Sequence, residues 1–276
     1  MVVAHCVSIC FRRGAEVKGV CLSVRREHSS MRFEDNGTMI PRVIYTYWET
    51  IGDYGRPEYI DLCVESIDRW CSKGFEIKHL NRTSAFELLD GVLNPAWVDL
   101  EPVAIRADIV RYALLSSFGG IWLDSDVLIL NDLERACQFV DAQGYDSGIR
   151  SMAFQVANQN AAPQTAALKE AEACLQEGRR IAWGHLGKIA TATTENSEQS
   201  GYISPDMIVQ PGWRNCDVLE LPSGDIDRFV SEKSIAWIFY NDVLRREFRP
   251  LYAMTREEIY ESDSVAGEIF RRSLHR

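Results

Sequence analysis

The run Gly119-Gly120-Ile121-Trp122-Leu123-Asp124-Ser125-Asp126 constrains this chain more than any other. Two consecutive glycines end the helix before them, because glycine takes the left-handed backbone of a helix terminus without steric cost. Three apolar residues then read as a short buried strand, and paired carboxylates follow at once. Residues two apart on an extended strand point to one face, so Asp124 and Asp126 are expected to project together from a strand end. Adjacent carboxylates repel, and a hard divalent cation resolves the repulsion. Oxygen donors suit Mn2+ or Mg2+, with the phosphates of a bound substrate completing the shell. Asp-x-Asp spacing alone is not specific, since Asp225-Ile226-Asp227 repeats it in a segment that reads as a loop. The specificity comes from context.

That context is an alternation of strands and helices. Arg42–Trp48 is β-branched and aromatic, a buried strand. Glu49–Arg56 reads as a loop, and Pro57 suits the first position of a helix. Ile60, Cys63, Val64, Ile67, Trp70 and Cys71 recur at helical spacing, so Pro57–Cys71 is predicted as an amphipathic helix ended by Gly74. Phe75–Leu80 alternates as a second strand. Thr83 with Phe86, Leu88 and Leu89 suggests a short capped helix. Glu101-Pro102 opens a further helix through Phe118, on which Asp108 and Arg111 stand three apart and so share a face. Taken alone, they make an ordinary surface ion pair worth a few tenths of a kcal/mol. Strand-helix-strand-helix order predicts an α/β domain with a mainly parallel central sheet flanked by helices, whose ligands sit at the carboxyl ends of the strands.

Charge excludes other classes. The 276 residues carry a formal net charge of -10, which argues against a nucleic-acid partner and a broad basic membrane face. An acidic protein that handles a diphosphate must bring local positive charge to its site, as a cation or a few arginines. The eight cysteines are scattered without a CxxC pair and read as reduced, mostly buried thiols. The five histidines show no zinc-ligand spacing. No run is long enough to span a membrane. The first residues place their charges after the apolar stretch, the reverse of a secretory signal, which predicts a cytoplasmic protein, with peripheral attachment at the membrane as the variant. Residues 1–38, rich in Arg, Ser and Cys, read as a poorly ordered or dispensable leader; translation from Met31 or Met39 is the alternative.

Ala107-Asp108-Ile109-Val110-Arg111-Tyr112, Gly119-Gly120-Ile121-Trp122-Leu123 and Asp124-Ser125-Asp126 resemble the DXD sugar-binding region of glycosyltransferases. That group includes yeast-type α-1,6-mannosyltransferases, capsular polysaccharide synthesis proteins and, more distantly, the clostridial glucosylating toxins. Ile40–Glu49 also resembles the opening strand of the capsular group. The likeness runs from Ile40 to about Leu133. It implies a GT-A fold, Rossmann-like, that binds a nucleotide sugar (UDP- or GDP-linked), with Mn2+ or Mg2+ as cofactor and a glycan or polysaccharide as acceptor. Carried over by position, Trp48 would stack on the donor base. Asp108 would bind sugar or ribose hydroxyls, and Arg111 the transferring sugar and the diphosphate. Trp122 would line the ribose-phosphate region where Tyr is usual, which removes a hydroxyl there. Asp124 would bind ribose and a metal-bound water, and Asp126 the metal itself. Asp124, Asp126 and Arg111 are the residues expected to carry catalysis. Departure of a nucleoside diphosphate builds negative charge, which a cation and an arginine stabilise.

The second half is less informative. Gln164–Glu177 reads as a helix, Thr191–Ser200 as a Thr/Ser/Glu-rich loop and candidate mobile lid, and Met207–Pro211 as a late strand. Trp237–Asp242 reads as an aromatic core cluster with Asn241 and Asp242 facing a site, and Arg256–Arg272 as one helix. His185, Asp242 and His275 are weak candidates for acceptor-side or metal contacts. The expected organisation is one domain over residues 39–276, with residues 39–133 binding donor and metal and residues 134–276 facing the acceptor. The expected activity is metal-dependent transfer of a hexosyl-type sugar to a glycan in capsule-type polysaccharide synthesis, retaining by resemblance, with protein acceptors as a variant. One rival is a haloacid-dehalogenase-like phosphatase with Asp124 as nucleophile, although Val127-Leu128 stands where Gly-Thr is usual. The other is a nucleotide-sugar-binding module without turnover.

Overall fold

A computed structural model describes residues 39–50, 55–71, 73–100, 102–247 and 249–275. The expected leader over residues 1–38 lies outside the described residues.

The first half follows the predicted alternation: β1 (Val43–Tyr47), α1 (Glu58–Cys71), β2 (Glu76–Leu80), α2 (Arg82–Leu88), α3 (Val103–Phe118) and β3 (Gly120–Leu123). The second half adds β4 (Val127–Ile129), α4 (Glu134–Ala142), β5 (Ser147–Ser151), β6 (Phe154–Ala157), α5 (Ala162–Gln176), α6 (His185–Glu195), β7 (Ser200–Tyr202) and β8 (Ile208–Val209). It closes with β9 (Ala236–Ile238), α7 (Asn241–Arg246), α8 (Pro250–Ala253), α9 (Arg256–Glu261) and α10 (Val265–Leu274).

Six strands form one sheet in the order β2-β1-β3-β6-β5-β7, and three form a second in the order β4-β9-β8. In the large sheet β1 runs parallel to both β2 and β3, and β5 parallel to β7, while β6 runs antiparallel to β3 and β5. The sheet is therefore mainly parallel and covered by helices, as predicted. Its two faces can be read residue by residue. Ile44, Ile121 and Leu123 pack into one apolar cluster, and Tyr45, Tyr47 and Trp122 into another on the opposite face. A sheet buried on both sides needs apolar residues at successive positions, which is why β1 and β3 read as continuous runs.

α3 lies buried against this sheet. Its buried residues include Ile105, Arg106, Asp108, Ile109, Arg111 and Tyr112, so the helix has no solvent face where Asp108 and Arg111 sit. Their pair is an interior one. Gly119 (φ +67°) and Gly120 (φ +106°) turn the chain from α3 into β3 in a backbone region closed to most side chains. A Cβ on Gly120 would stand 2.6 Å from the Val43 carbonyl oxygen, and one on Gly119 would stand 2.7 Å from the Gln159 amide nitrogen. Gly120→Ala is therefore expected to cost about 3 kcal/mol, from backbone strain and overpacking together. It should appear as a lower urea midpoint at constant slope; a change under about 0.5 kcal/mol would show that the strand approach tolerates a methyl group.

Three predicted elements differ. Thr191–Ser200 is not a lid, because Thr191–Glu195 completes α6. Leu186, Ala190 and Thr194 recur every fourth residue and are buried, and the Thr193 and Thr194 hydroxyls donate to the carbonyls of Ile189 and Ala190 at 2.9 Å. Polar residues that satisfy themselves along the helix read as loop by composition. The helix predicted over Arg256–Arg272 is two, α9 and α10, broken where Ser264 accepts from the Gly267 amide at 3.1 Å and starts a new helix. Arg271 donates to the carbonyls of Tyr260 and Ser262 at the end of α9. The cap of α2 is Asn81, whose Oδ1 accepts from the Ser84 amide at 3.0 Å. No helix among the described residues is long and apolar enough to cross a membrane.

Candidate active site

Asp124, Ser125 and Asp126 stand where the chain leaves the six-stranded sheet at the end of β3 and enters the three-stranded sheet at β4. They form a tight turn, closed by the Val127 amide on the Asp124 carbonyl at 3.0 Å, and not the extended strand expected from the two-residue spacing. The turn is fixed on both sides. Ala153 accepts from the Asp124 amide at 2.9 Å, and the Asp126 carbonyl accepts from the Phe239 amide at 3.0 Å. Ser125 points inward, donating its hydroxyl to the Tyr47 carbonyl at 2.9 Å, with Thr46 Oγ1 at 3.0 Å. The middle residue thus pins the turn to β1, and the two carboxylates bond to different elements.

Asp124 faces α3. Its Oδ1 accepts from Arg111 Nη2 at 2.7 Å and from the Trp122 indole Nε1 at 2.6 Å. Arg111 Nη1 reaches Asp108 Oδ1 at 2.9 Å, and the guanidinium lies 5.0 Å from the Trp122 ring centre, a cation-π contact. The indole of Trp122 thus supplies a hydrogen-bond donor to Asp124. Asp126 faces the start of α7. Its Oδ2 accepts from the Asn241 amide at 2.9 Å, and the Asn241 side chain accepts from the Tyr59 hydroxyl at 2.6 Å.

Three carboxylates crowd this corner, and two of them, Asp108 and Asp124, pair with the one guanidinium. Burial pushes Asp126 up to about 7, with Asp124 adding to the rise and the Asn241 amide opposing it. Burial also lifts Asp108 to about 6, against the pull of Arg111. For Arg111 burial acts downward, but Asp124 and Asp108 outweigh it and hold the guanidinium protonated. Asp124 Oδ2 and Asp126 Oδ1 take no hydrogen bond from another residue among the described residues. Two free hard oxygens in an acidic cluster fit a divalent cation of the Mn2+ or Mg2+ type.

Trp48 is half-buried at the end of β1 and packs against the cluster formed by α1, β9 and the C-terminal helices. Its Nε1 is buried with no acceptor among the described residues. The sequence reading missed the residues that hold this corner. Arg106, 2% exposed, forks onto Glu49 through Nε–Oε1 at 2.7 Å and Nη2–Oε2 at 2.5 Å, and the Tyr47 hydroxyl donates to the same carboxylate. Glu49 and Arg106 were visible as charges in apolar stretches, but nothing local pairs residues 57 positions apart. The weak candidates bond elsewhere. His185 Nε2 is 2.9 Å from Glu170, Asp242 pairs with Arg245 and Arg246, and His275 packs on Tyr260. The second Asp-x-Asp sits on a 3₁₀ turn with Asp225 on Arg228 and Asp227 on Arg272.

The architecture is a mainly parallel α/β sheet flanked by helices, with its acid pair in a turn at a strand end. The family model for capsular polysaccharide synthesis protein matches residues 21–160, half of the chain, and the chain belongs to that family. Solved structures similar to it include the PaToxG glycosyltransferase (11% identity, TM-score 0.38, covering 85% of this chain and 86% of that one). A second is a glycosyltransferase involved in glycosylation of the major capsid of PBCV-1 (10%, TM-score 0.44, 72% and 93%). A third is mouse xyloside xylosyltransferase 1 in its apo form (9%, TM-score 0.44, 74% and 98%). No curated protein matches the sequence.

Proposed function

We propose that this chain is a divalent-cation-dependent glycosyltransferase that takes a sugar from a UDP- or GDP-linked donor and passes it, with retention, to a growing glycan or polysaccharide. The observation that carries the reading is the turn at Asp124–Asp126. It holds two carboxylates with free oxygens beside a buried arginine, and burial together with the neighbouring acid raises Asp126 to about 7.

Asp126 and Asp124 would hold Mn2+ or Mg2+. Bound there, the cation supplies positive charge to the departing nucleoside diphosphate. The chain's own residues do the rest. Arg111 keeps a permanent positive charge beside Asp124 and the diphosphate. Asp108 and Asp124 offer carboxylate oxygens to sugar and ribose hydroxyls, and Trp122 lines the ribose-phosphate side. Trp48 gives the donor base a ring to stack on. The Glu49–Arg106 fork holds the loop that carries Trp48. On this reading residues 39–276 work as one catalytic domain, with 39–133 on the donor side and 134–276 on the acceptor side. The protein acts in the cytoplasm or at the inner membrane surface, where nucleotide sugars and capsule-type acceptors meet.

The test is thermal stability against a panel of nucleotide sugars, with and without Mn2+. A ligand at 100 times its dissociation constant adds about 2.7 kcal/mol to the native state. A rise for one donor, seen only with metal and lost in Asp126→Ala, is the expected result and names the donor. Hydrolysis of simple phosphoesters without any donor shift would favour a phosphatase with Asp124 as nucleophile. Donor binding without hydrolysis or transfer would leave a binding module.

A further inference from the structure

A second group of ligand-type side chains lies on the helical layer, in residues the active site does not use. α5 places Glu170 and Cys174 four apart, on one face and one turn from each other, and α6 opens with His185. Cys174 Sγ is 3.2 Å from Glu170 Oε1, and His185 Nε2 is 2.9 Å from the same oxygen. The three ligand atoms lie within 4.8 Å of one another. Arg179, on the connection between the helices, closes the group with Nη1 at 3.3 Å from that oxygen and 3.0 Å from the sulfur.

An ion network would need only Glu170, Arg179 and His185. The fourth partner is a buried sulfur turned toward the same carboxylate oxygen. A thiol is a weak hydrogen-bond partner but a strong ligand for borderline-soft metals. Zinc bonds of about 2.0 Å to nitrogen and oxygen and 2.3 Å to sulfur imply tetrahedral edges of roughly 3.3 to 3.6 Å. The separations around Glu170 Oε1 are within a few tenths of an ångström of those edges. Access is open, since Glu170 and His185 are about one-third exposed while Cys174 is buried. Arg179 stands where the cation would bring its charge, but it is half-exposed and its Nε keeps a second carboxylate, Glu177, at 2.5 Å. It can therefore swing away without losing its ion pair.

We propose that Glu170, Cys174 and His185 form a binding site for a zinc-type divalent cation, with three protein ligands and a water. Arg179 takes the cation's place when none is bound. Binding releases the Cys174 thiol proton to solvent and changes no oxidation state. The bound ion ties the end of α5 to the start of α6. This site uses sulfur and nitrogen, so it is chemically distinct from the oxygen-only pair at Asp124 and Asp126, and it does not depend on the reading of that pair.

The experiment is titration of the full-length, chelator-treated protein with Co2+, followed by absorption. Wild type is expected to bind with a sulfur-to-cobalt charge-transfer band that Zn2+ bleaches. Cys174→Ser should abolish the band, and His185→Ala should weaken Co2+ binding at least about tenfold. Arg179→Ala keeps every ligand and alters an exposed residue, so folding is preserved; it should tighten binding, because it removes the competing cation. Asp126→Ala should leave the band unchanged, since carboxylates give no such band. No charge-transfer band in wild type, the same band in Cys174→Ser, or weaker binding in Arg179→Ala would overturn the proposal.

Discussion

Asp126→Ala is expected to lower metal-dependent donor turnover roughly a thousandfold, the scale of losing a preorganised charge at the reacting diphosphate, while leaving the fold intact. The variant loses one acceptor for the Asn241 amide, which costs about 1 kcal/mol. Against that it removes a carboxylate that burial and Asp124 make reluctant to ionise. The balance depends on pH with a definite sign. Asp126 titrates near 7 in the folded chain and near the ordinary carboxylate value, 3.8, when unfolded. Between these values the folded state binds more protons, so wild-type stability without metal falls as pH rises from about 4 through 7. Asp108, lifted to about 6, acts in the same direction. The melting temperature of Asp126→Ala relative to wild type should therefore improve from pH 5 to pH 8, and Mn2+ should stabilise wild type more at the higher pH. A fully active Asp126→Ala enzyme would sink the site assignment. A variant whose stability tracks wild type at every pH would show that the carboxylate is not held protonated.

Much of the scaffold around this candidate site was legible because its signals are local. Helical spacing over Ile60–Cys71, the double glycine before Ile121 and the apolar runs of β1 and β3 each specify an element without tertiary help. The acid pair was legible as residues but not as geometry. Whether Asp124–Asp126 continues a strand or turns depends on which sheet Val127 joins, and that is settled by its pairing with Ile238 and by the Ala153 carbonyl on the Asp124 amide. Both partners are distant in sequence. The same holds for the Glu49–Arg106 fork and for the Asn241 amide on Asp126. α6 failed for another reason: its Thr-rich stretch has loop-like composition, while the helix rests on the buried row Leu186, Ala190 and Thr194 and on hydroxyls that bond back along the chain. Local patterning thus places the scaffold and names the chemical groups, and long-range contacts decide where those groups point.

Arg111→Met carries the largest expected effect on stability. The guanidinium is fully enclosed and holds Asp108 on one fork and Asp124 on the other. Removing it leaves Asp108, itself 7% exposed, as a buried carboxylate without a counter-charge, a loss of about 3 to 5 kcal/mol. That is a large part of what a domain of this size has. Most of the cost is the stranded acid and not the lost attraction, which leads to two further outcomes. The deficit should shrink as pH falls through about 6, where Asp108 already tends to take up a proton. Asp108→Asn added to Arg111→Met should recover much of the loss, giving a favourable coupling of about 1 to 3 kcal/mol in the double-mutant cycle. Urea unfolding of the two single variants and the double at pH 5.5 and 8 reads all of these together. Additive single-mutant losses with no pH dependence would mean that Arg111 acts by packing against Trp122 and not by neutralising the two carboxylates.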